Sequence, residues 1–356
     1  MDGLELIGVV SGLIAIGAAL VSAVKYGVPV LKRHPGLARV YLKVFKPKDT
    51  KYETLWRRVV AELNPVGDGL LTLHGFLTNG MPYPERDENR SDAVLGWMND
   101  ASCNSRAAKI RAEPTLVNRS HGLLIGQPSD VRTAPLRYVR TDYAMIKAAR
   151  EAALRPAILS AGAIVFCPAH RTILLQSRSR SVEQYPGCWH LLGGNYEPAT
   201  DLHDCDDGAD DPLLRAAVRE VFEESHLRLN ETGDPLISFA EEHATGFVQF
   251  FLAGVAVSPA QMGGVQGSRE GGVEAMSLDR IVDQFNNPKV AERRWVPSCA
   301  LHLAAWLGLG APDQHQRTPM RKEALAAYRA ILPKLREGFA AVDGGPLATE
   351  GAPYTA

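Results

Sequence analysis

The sequence predicts an α/β protein, preceded by one N-terminal transmembrane helix and an α+β intervening region. Two observations carry this prediction. Nineteen uncharged and mostly aliphatic residues run from Leu6 to Val24. From Leu159 onward, short alternating apolar segments flank an amphipathic helical pattern that begins at Asp211, which is the mixture expected of a sheet covered by helices. The 356 residues are enough for about two domains at roughly 150 residues each.

The composition excludes several classes of protein. Hydrophobic residues make up 46% of the chain, charged residues make up 22%, and the formal net charge is -1. The chain is therefore neither disordered throughout nor a channel with many membrane spans, and the balanced charge gives no general reason to expect nucleic-acid binding. The five cysteines are widely spaced and include no C-x-x-C pair, which indicates a reducing compartment rather than a disulfide scaffold or a zinc ribbon.

The apolar run from Leu6 to Val24 has the length that an α-helix needs to cross a hydrocarbon core, so residues 1–30 are predicted to form a transmembrane helix. A cleaved signal peptide is the nearest alternative, but its first residues should be basic, whereas this chain carries Asp2 and Glu5. A buried core helix is the other alternative, and it would require a core wrapped around all of its faces.

The flank of this run predicts its orientation. Between Lys25 and Lys51 there are eight basic residues and one acidic residue, so the positive-inside rule places the body of the protein in the cytoplasm, below a single pass through the cell inner membrane. Gly8 and Gly12 form a G-x-x-x-G pair, a spacing that lets membrane helices approach closely. Self-association through the helix is one expectation, and the general abundance of small residues in membrane helices is the alternative.

Residues 31–155 contain no recognisable chemical motif. They mix turn-rich stretches with two short helical patterns, Tyr52 to Leu63 and Thr141 to Arg155, and predict an intervening cytoplasmic region of unspecified fold. Between residues 101 and 150 there are nine Lys and Arg residues and three acidic ones. This stretch is either a solvated basic face or a surface that contacts phosphate or the acidic segment described below.

The remaining sequence alternates strands with helices. The predicted strands are Ala161 to Cys167, Thr172 to Arg178, Pro235 to Glu241, Phe247 to Val257 and Gly272 to Leu278. The predicted helices are Pro212 to Ser225 with Asp211 as its N-cap, Asp279 to Phe285, Pro297 to Leu307 and Thr318 to Ala341. These elements predict one domain over residues 156–290, C-terminal helices over 291–342 and a disordered tail over 343–356.

The helix predicted after Asp211 carries three carboxylates that are candidate metal ligands. Glu220, Glu223 and Glu224 stand at positions i, i+3 and i+4, which places them on one helix face with Cβ atoms about 5–6 Å apart. Like charges at this spacing destabilise an isolated helix, and a divalent cation such as Mg²⁺ or Mn²⁺ would explain the pattern. Arg219 can pair with one carboxylate and fix its orientation. A solvated charged face is the alternative for such a helix taken alone.

A glycine-rich segment precedes this helix in a recognisable order. The chain runs from Pro186-Gly187-x-Trp189 through Gly193-Gly194-x-x-Glu197 to Arg219-Glu220-Val221-Phe222-Glu223-Glu224. This order resembles the Nudix hydrolase superfamily, whose signature is G-x5-E-x7-R-E-U-x-E-E-x-G-U with U aliphatic. Gly194 takes the position of the first Gly and Asp211 that of the first Glu, with seven residues between Asp211 and Arg219. The resemblance covers about residues 158–290 and implies a Nudix α/β/α sandwich with a mixed sheet.

Three departures from the signature limit what the resemblance implies. Sixteen residues rather than five separate Gly194 from Asp211, and residues 195–211 contain seven acidic residues with no Lys or Arg. Asp211 is shorter than the expected Glu by one methylene. His226 replaces the Gly that follows the helix, where a left-handed residue is often needed, and His tolerates that conformation better than β-branched residues do. These departures preserve the expected fold and weaken the expectation of catalysis.

The resemblance implies attack of water on a nucleoside diphosphate linked to another moiety, with Mg²⁺ or Mn²⁺ as the cofactor. Glu223 and Glu224 would be metal ligands, and Glu220 would be either a ligand or the base that activates water. The Gly194 carbonyl would be a further ligand, Gly193 would belong to the same cofactor-binding segment, and Arg219 would brace the carboxylates as part of the catalytic group.

Nudix proteins often recruit one more acidic ligand from a later loop. Glu241, Glu242 and Glu270 are the candidates in this chain, and their spacing does not choose among them. His190 and His243 are candidates for substrate contact, although a single His near a strand is more often structural.

The predicted membrane tether leaves two classes of function open. The domain order resembles the transmembrane-Nudix effectors of bacterial cyclic-oligonucleotide (CBASS) antiphage systems. That resemblance implies a receptor for a nucleotide-derived ligand, with a cyclic oligonucleotide as one candidate, which disrupts the membrane and causes abortive infection. The alternative is a membrane-anchored, metal-dependent Nudix hydrolase. The long acidic segment that replaces the expected five residues between Gly194 and Asp211 favours the receptor. The carboxylates of the helix, which match the signature, favour the enzyme.

Overall fold

The computed structural model describes residues 57–64, 69–77, 81–87, 96–114, 117–126, 128, 136–182, 184–201, 211–229, 236–243, 245–287, 294–309, 326 and 328–330. The predicted transmembrane helix at residues 1–30 and the predicted tail at 343–356 lie outside these residues, as do residues 202–210 of the acidic segment. Within the described part of the chain, no helix is both long enough and apolar enough to cross a membrane.

A mixed sheet forms the centre of the described structure. Its strands are β1 (Leu71–Leu77), β2 (Pro84–Arg86), β3 (Ser120–Ile125), β4 (Leu136–Asp142), β5 (Ile158–Cys167), β6 (Thr172–Arg178), β7 (Trp189–His190), β8 (Leu192–Asn195), β9 (Ile237–Glu242), β10 (Phe247–Ala256) and β11 (Gly271–Ser277). The order across the sheet is β1-β9-β10-β5-β3-β4-β2, and β6, β7, β8 and β11 pair off this path.

Strand β5 is the hub of the sheet. It pairs with β10 in parallel and with β3, β6 and β8 in antiparallel orientation. All of its residues are buried, as expected for a central strand that is covered on both faces and reads as a continuous apolar run. The parallel pair among antiparallel ones makes the sheet mixed, so the α/β fold with a mixed sheet predicted from the sequence is confirmed.

Helices cover both faces of the sheet. They are α1 (Ala101–Arg111), α2 (Tyr143–Glu151), α3 (Pro198–Asp201), α4 (Pro212–Ser225), α5 (Pro259–Gly263), α6 (Leu278–Asn286) and α7 (Pro297–Gly308), and residues 57–64 are also helical. Ala161 and Ala163 of β5 pack in one hydrophobic cluster with α4, whereas Ile164 and Phe166 pack in another with α6 and α7. Successive strand residues point to opposite faces, so the layers follow the order helix, sheet, helix.

Helix α4 begins and ends where the sequence predicts. The Asp211 side chain accepts hydrogen bonds from the backbone N–H groups of Leu213 and Leu214, and Pro212 occupies the first turn, where no N–H partner is needed. The helix ends at His226, which has a φ of 59° and a left-handed conformation. His226 therefore adopts the left-handed backbone conformation at the position where the Nudix signature has Gly.

Most other predicted elements downstream of residue 156 are also confirmed. Strand β6 has the predicted bounds, and β9, β10, β11, α6 and α7 begin and end within two residues of them. Strand β5 begins three residues earlier than predicted, and α2 is shorter than the pattern from Thr141 to Arg155. The sequence patterns did not predict β1, β3, β4 or α1.

The region before residue 156 contributes strands to the same sheet. Strand β1 pairs with β9 along its length, from Leu71 opposite Glu242 to Leu77 opposite Ile237. Strand β3 joins β5 through Leu123 opposite Ile158, and α1 and α2 pack on each other in a small separate cluster. The predicted boundary at residue 156 thus runs between strands that pair with each other, and the other domain boundaries stay predictions.

Candidate active site

A cavity of about 250 Å³ lies beside the N-terminal end of β5. On one side it has a charged wall, formed by Arg119, Glu197, Glu220 and Glu223. On the other it has a polar floor, formed by Ser160, Glu242 and Gln249. Further lining residues are His121, Tyr143, Arg178, Tyr185, His190, Gly193, Gly194, Phe247, Phe251, Arg269 and Glu270. The lining residues thus come from both sides of residue 156.

Arg219 holds the charged wall together from behind. Its Nε and Nη2 atoms donate to the two carboxylate oxygens of Asp201 at 2.8 and 3.2 Å. Its Nη1 donates to Glu220 Oε1 at 2.7 Å, and its Nη2 also donates to the backbone oxygen of Asn195 at 3.0 Å. Burial lowers the pKa of Arg219, but these carboxylates raise it by more, so its net shift is upward. The two-pronged contact with Asp201 fixes the guanidinium plane, and the bracing role that the resemblance implies for Arg219 stays a prediction.

Glu220 is a buried carboxylate pressed against Gly194. Burial raises its pKa to about 7, and the Arg219 guanidinium opposes that rise. A Cβ atom on Gly194 would lie 2.5 Å from the Glu220 carboxyl carbon, so a side chain at this position would displace the carboxylate. The structure therefore brings together three of the residues that the sequence analysis selected, Gly194, Arg219 and Glu220.

Arg119 enters the charged wall from the segment just before β3. Its Nη1 donates to Glu197 Oε1 at 3.0 Å and to Glu223 Oε2 at 3.4 Å. Arg219 Nη1 approaches the other oxygen of Glu223 at 3.6 Å. Burial lowers the pKa of Arg119 less than the hydrogen bond to Glu197 raises it. Each carboxylate of the charged wall thus has an arginine beside it.

Glu224 lies beneath the cavity rather than on its lining. It is 3% exposed, and its two oxygens accept from the Gly193 N–H at 2.8 Å and from Gln176 Nε2 at 2.9 Å. Burial, together with the nearby Glu220, raises its pKa well above the usual range. In this structure Glu224 therefore supports the glycine segment, and its assignment as a metal ligand stays a prediction.

The oxygen donors of the charged wall are compatible with a hard divalent cation. Glu197, Glu220 and Glu223 line one cavity, and carboxylate oxygens are the ligands that Mg²⁺ and Mn²⁺ prefer. No three His, Cys, Asp or Glu side chains of the described residues are gathered into a ready metal-binding group. The donor chemistry fits such an ion, while the arginines hold the positions beside the carboxylates.

The candidates for an additional acidic ligand are separated by the fold. Glu242 and Glu270 line the cavity. Glu241 instead contacts His74 Nε2 at 3.1 Å and His243 Nδ1 at 3.2 Å, away from the cavity lining. His190 does line the cavity, and burial lowers its pKa well below the usual range.

The basic stretch predicted between residues 101 and 150 is mostly paired on the surface. Arg106 contacts Glu151, and Arg111 donates to Asp142 at 2.8 Å. Arg119 and His121 of this stretch line the cavity. Burial lowers the pKa of His121 to about 4, so its imidazole is neutral near pH 7.

Sequence reasoning missed Arg119, His121, Ser160 and Gln249. Nothing in the sequence distinguishes Arg119 from the eight other basic residues of its stretch, because its partners lie 78 and 104 residues away. Ser160 and Gln249 did leave a signal, since each is a polar residue inside a strand that is otherwise largely apolar. Such an interruption indicates either a buried hydrogen bond or a site.

Comparison with known proteins gives structural matches without sequence matches. No family model matches the sequence, and no curated protein matches it. The structure is similar to a MutT protein from Methanosarcina mazei Go1, with 18% identity, 46% of this chain and 98% of that chain covered, and a TM-score of 0.27. It is also similar to a NUDIX hydrolase from Alicyclobacillus acidocaldarius, with 15% identity, 45% and 92% covered, and a TM-score of 0.30.

A third similar structure is larger. It is a bifunctional NMN adenylyltransferase/ADP ribose pyrophosphatase from Francisella tularensis, complexed with AMP and a Mn ion. The identity is 15%, the TM-score is 0.28, and the match covers 47% of this chain and 45% of that protein.

Proposed function

We propose that this protein is a Nudix-type hydrolase that cleaves a nucleoside diphosphate linked to another moiety, with Mg²⁺ or Mn²⁺ as its cofactor. One observation carries the proposal. Gly194, Arg219 and Glu220, which the sequence resemblance selects at separations of up to 26 residues, meet at one wall of a cavity, with Glu220 held between the other two.

The proposed reaction divides its tasks among the lining residues. Glu223 would hold the cation, with Glu197 beside it. A divalent cation bound there would neutralise phosphate charge and acidify a water molecule. Arg178 and Arg269, which line the same cavity, would contact phosphate oxygens. Glu220, oriented by Arg219, would accept the proton of the attacking water.

A turnover assay tests this proposal. The purified full chain is incubated with Mg²⁺ or Mn²⁺ and a panel of nucleoside diphosphate derivatives, and the products are separated by ion-exchange chromatography. We expect hydrolysis of at least one derivative, its loss in EDTA, and a decrease of about 100-fold or more in Glu220→Gln, as for a displaced general base. Glu274→Gln, an exposed carboxylate outside the cavity that pairs with Arg280, is the matched control and should retain activity.

A receptor for a nucleotide-derived ligand is the second candidate function. The observation that favours it is that Arg119 and Arg219 already pair with the carboxylates of the charged wall. No metal cation is then needed to offset the charge of these carboxylates when a ligand binds. In this proposal the ligand is a nucleotide derivative such as a cyclic oligonucleotide, and the protein is an antiviral effector that disrupts the membrane. Tight binding without turnover in the same assay, extended to cyclic di- and trinucleotides, would favour the receptor over the enzyme.

The membrane assignment remains part of both proposals. We propose a single pass of residues 1–30 through the cell inner membrane, a cytoplasmic body, and a homo-oligomer formed through the helix. Its support is the apolar run from Leu6 to Val24 and the basic flank that follows it. The protein should sediment with membranes and resist carbonate extraction, and release into the soluble fraction would overturn the anchor.

A further inference from the structure

The polar floor of the cavity contains three buried side-chain oxygen atoms that lack hydrogen-bond partners among the described residues. Glu242 is fully buried, and Ser160 and Gln249 are each 5% exposed. Among the described residues, no partner contacts Glu242 Oε2, Ser160 Oγ or Gln249 Oε1. A buried polar group without a partner destabilises a fold by about 1–3 kcal/mol. Three such atoms on one cavity indicate that a bound ligand supplies the missing hydrogen-bond partners.

Strand pairing places the three groups side by side. Gln249 of β10 is the register partner of Ser160 on β5 and of Ala240 on β9. Glu242 follows Ala240 by two residues, so it points to the same face of β9. The three polar groups therefore lie on three adjacent strands and on one face of the sheet, at the end that opens into the cavity.

The carboxylate of Glu242 is held in a fixed orientation. Its Oε1 atom accepts hydrogen bonds from the Tyr185 hydroxyl and from Thr245 Oγ1, the latter at 2.7 Å. Both lone pairs of Oε2 are left for an incoming donor. A carboxylate oxygen accepts hydrogen bonds and donates none when ionised, so the matching group on a ligand is an N–H or O–H donor.

The neighbouring side chains favour a flat ligand. Phe247 and Tyr143, both partly exposed, line the same cavity, and aromatic rings stack on the faces of nucleobases. The Ser160 hydroxyl can donate or accept, whereas Gln249 Oε1 only accepts. A planar heterocycle would satisfy all three orphaned oxygens if its amino group donated to Glu242 Oε2 and Gln249 Oε1 and its neighbouring ring atom accepted from Ser160 Oγ.

We propose that the polar floor recognises the base of the nucleotide ligand and selects bases that carry an exocyclic amino group. This inference rests on the proposed function, in that the ligand is a nucleotide whose phosphates lie along the charged wall. The amino group donates to Glu242 Oε2 and to Gln249 Oε1, and the adjacent ring nitrogen or carbonyl accepts from Ser160 Oγ. Bases without the amino group leave Glu242 Oε2 buried and unpaired.

Pairs of nucleotides that differ at the amino group test the proposal on the unmodified protein. Binding of GDP and IDP, of CDP and UDP, and of ADP and purine riboside diphosphate is measured by titration calorimetry in EDTA. For the pair whose base fits the cavity, the amino-bearing member should bind about tenfold or more tightly, since an unpaired buried acceptor weakens binding by this factor. Affinities equal to within about twofold in all three pairs would overturn the proposal.

Variants assign the selection to Glu242. Glu242→Gln turns the acceptor into an amide and should remove the discrimination, whereas the exposed control Glu274→Gln should retain it. Discrimination that persists in a folded Glu242→Gln protein would overturn the proposal. So would an effect of this variant seen only with Mg²⁺ present, because Glu242 would then be acting as the additional metal ligand. If Glu242→Gln fails to fold, Gln249→Met provides the same test, with discrimination reduced at least threefold as the expected result.

The same measurements separate this inference from the hydrolase proposal. Glu220→Gln should lose turnover and keep base discrimination in EDTA. Hydrolysis without discrimination would overturn the floor assignment alone, and discrimination without hydrolysis in any metal would overturn the hydrolase alone.

Discussion

The two sides of the cavity differ in how their polar groups are satisfied. On the charged wall, Arg219 and Arg119 contact every carboxylate. On the polar floor, three buried atoms have no partner in the described structure. Removing one member of a buried ion pair destabilises a protein strongly, whereas removing an unpartnered polar group does not. The wall is therefore organised before a ligand arrives, and the floor is completed by the ligand.

The largest expected effect is on the charged wall. Arg219→Ala should lower the free energy of unfolding by about 3–5 kcal/mol, because Asp201 and Glu220 would remain buried without their cation. Denaturant unfolding measures the change. Arg280→Ala removes an arginine from the exposed pair with Glu274 and should cost at most about 1 kcal/mol. Similar losses in the two variants would mean that the wall is no more organised than the protein surface.

Acid should loosen the layer beneath the floor. His302 of α7 packs on Phe251 and its Nδ1 lies 2.7 Å from Ser238 Oγ. Burial lowers its pKa to about 3, whereas an unfolded His titrates near 6.5. Since the unfolded chain binds more protons in this window, the free energy of unfolding falls as the pH drops from about 6.5 toward 3, by up to about 1.4 kcal/mol per pH unit.

Unfolding measured at several pH values checks this slope. His302→Gln should flatten it, because the amide can still bond Ser238 but does not titrate. His170→Gln, at an exposed position, should leave it unchanged. If the pH dependence of the free energy of unfolding is the same in His302→Gln as in the unmodified protein, His302 is not the cause of the loss of stability in acid.

Glu224 offers an intermediate effect that depends on the replacement. Glu224→Ala leaves the Gly193 N–H and the Gln176 amide without partners and should cost about 2 kcal/mol or more. Glu224→Gln should cost less than about 1 kcal/mol, because its amide oxygen can accept from the Gly193 N–H and its NH2 group can donate to the Gln176 amide oxygen once that amide turns over. Thermal unfolding compares the two. A stable Glu224→Gln that loses metal-dependent turnover would return Glu224 to the ligand role.

The smallest effect belongs to the polar floor. Ser160→Ala removes an unpartnered buried hydroxyl and should leave the unliganded protein as stable as before, or raise its free energy of unfolding by up to about 1 kcal/mol. The same variant should bind an amino-bearing nucleoside diphosphate more weakly. Denaturant unfolding and calorimetry check the two effects, and a loss of stability above about 1 kcal/mol would show that the hydroxyl has a structural partner.

Local signals explain what the sequence predicts well. Helix α4 is defined by neighbours along the chain, with Asp211 and Pro212 at its start and a left-handed His226 at its end. The helical spacing of Glu220, Glu223 and Glu224 is also correct, but spacing alone could not reveal that the Gly193 N–H takes Glu224 out of the cavity. That distinction depends on a contact across 31 residues.

Distant pairing explains what the sequence does not predict. Strand β1 pairs with β9, which lies about 165 residues later in the chain, beginning with Leu71 opposite Glu242. No local pattern in the sequence of β1 predicts this pairing. Arg119 reaches the charged wall only because β3 joins β5. The polar floor likewise needs the register of three strands, two of which are separated from the third by more than 70 residues.

The pairing of β1 with β9 has a consequence for cutting the chain. All six residues of β9 are buried, and β1 pairs along the whole length of this strand on one side. A fragment that starts at residue 156 would uncover that edge, and an exposed apolar strand edge is a template for pairing between molecules. Such a fragment should self-associate, whereas a fragment that retains β1 keeps this edge of β9 paired.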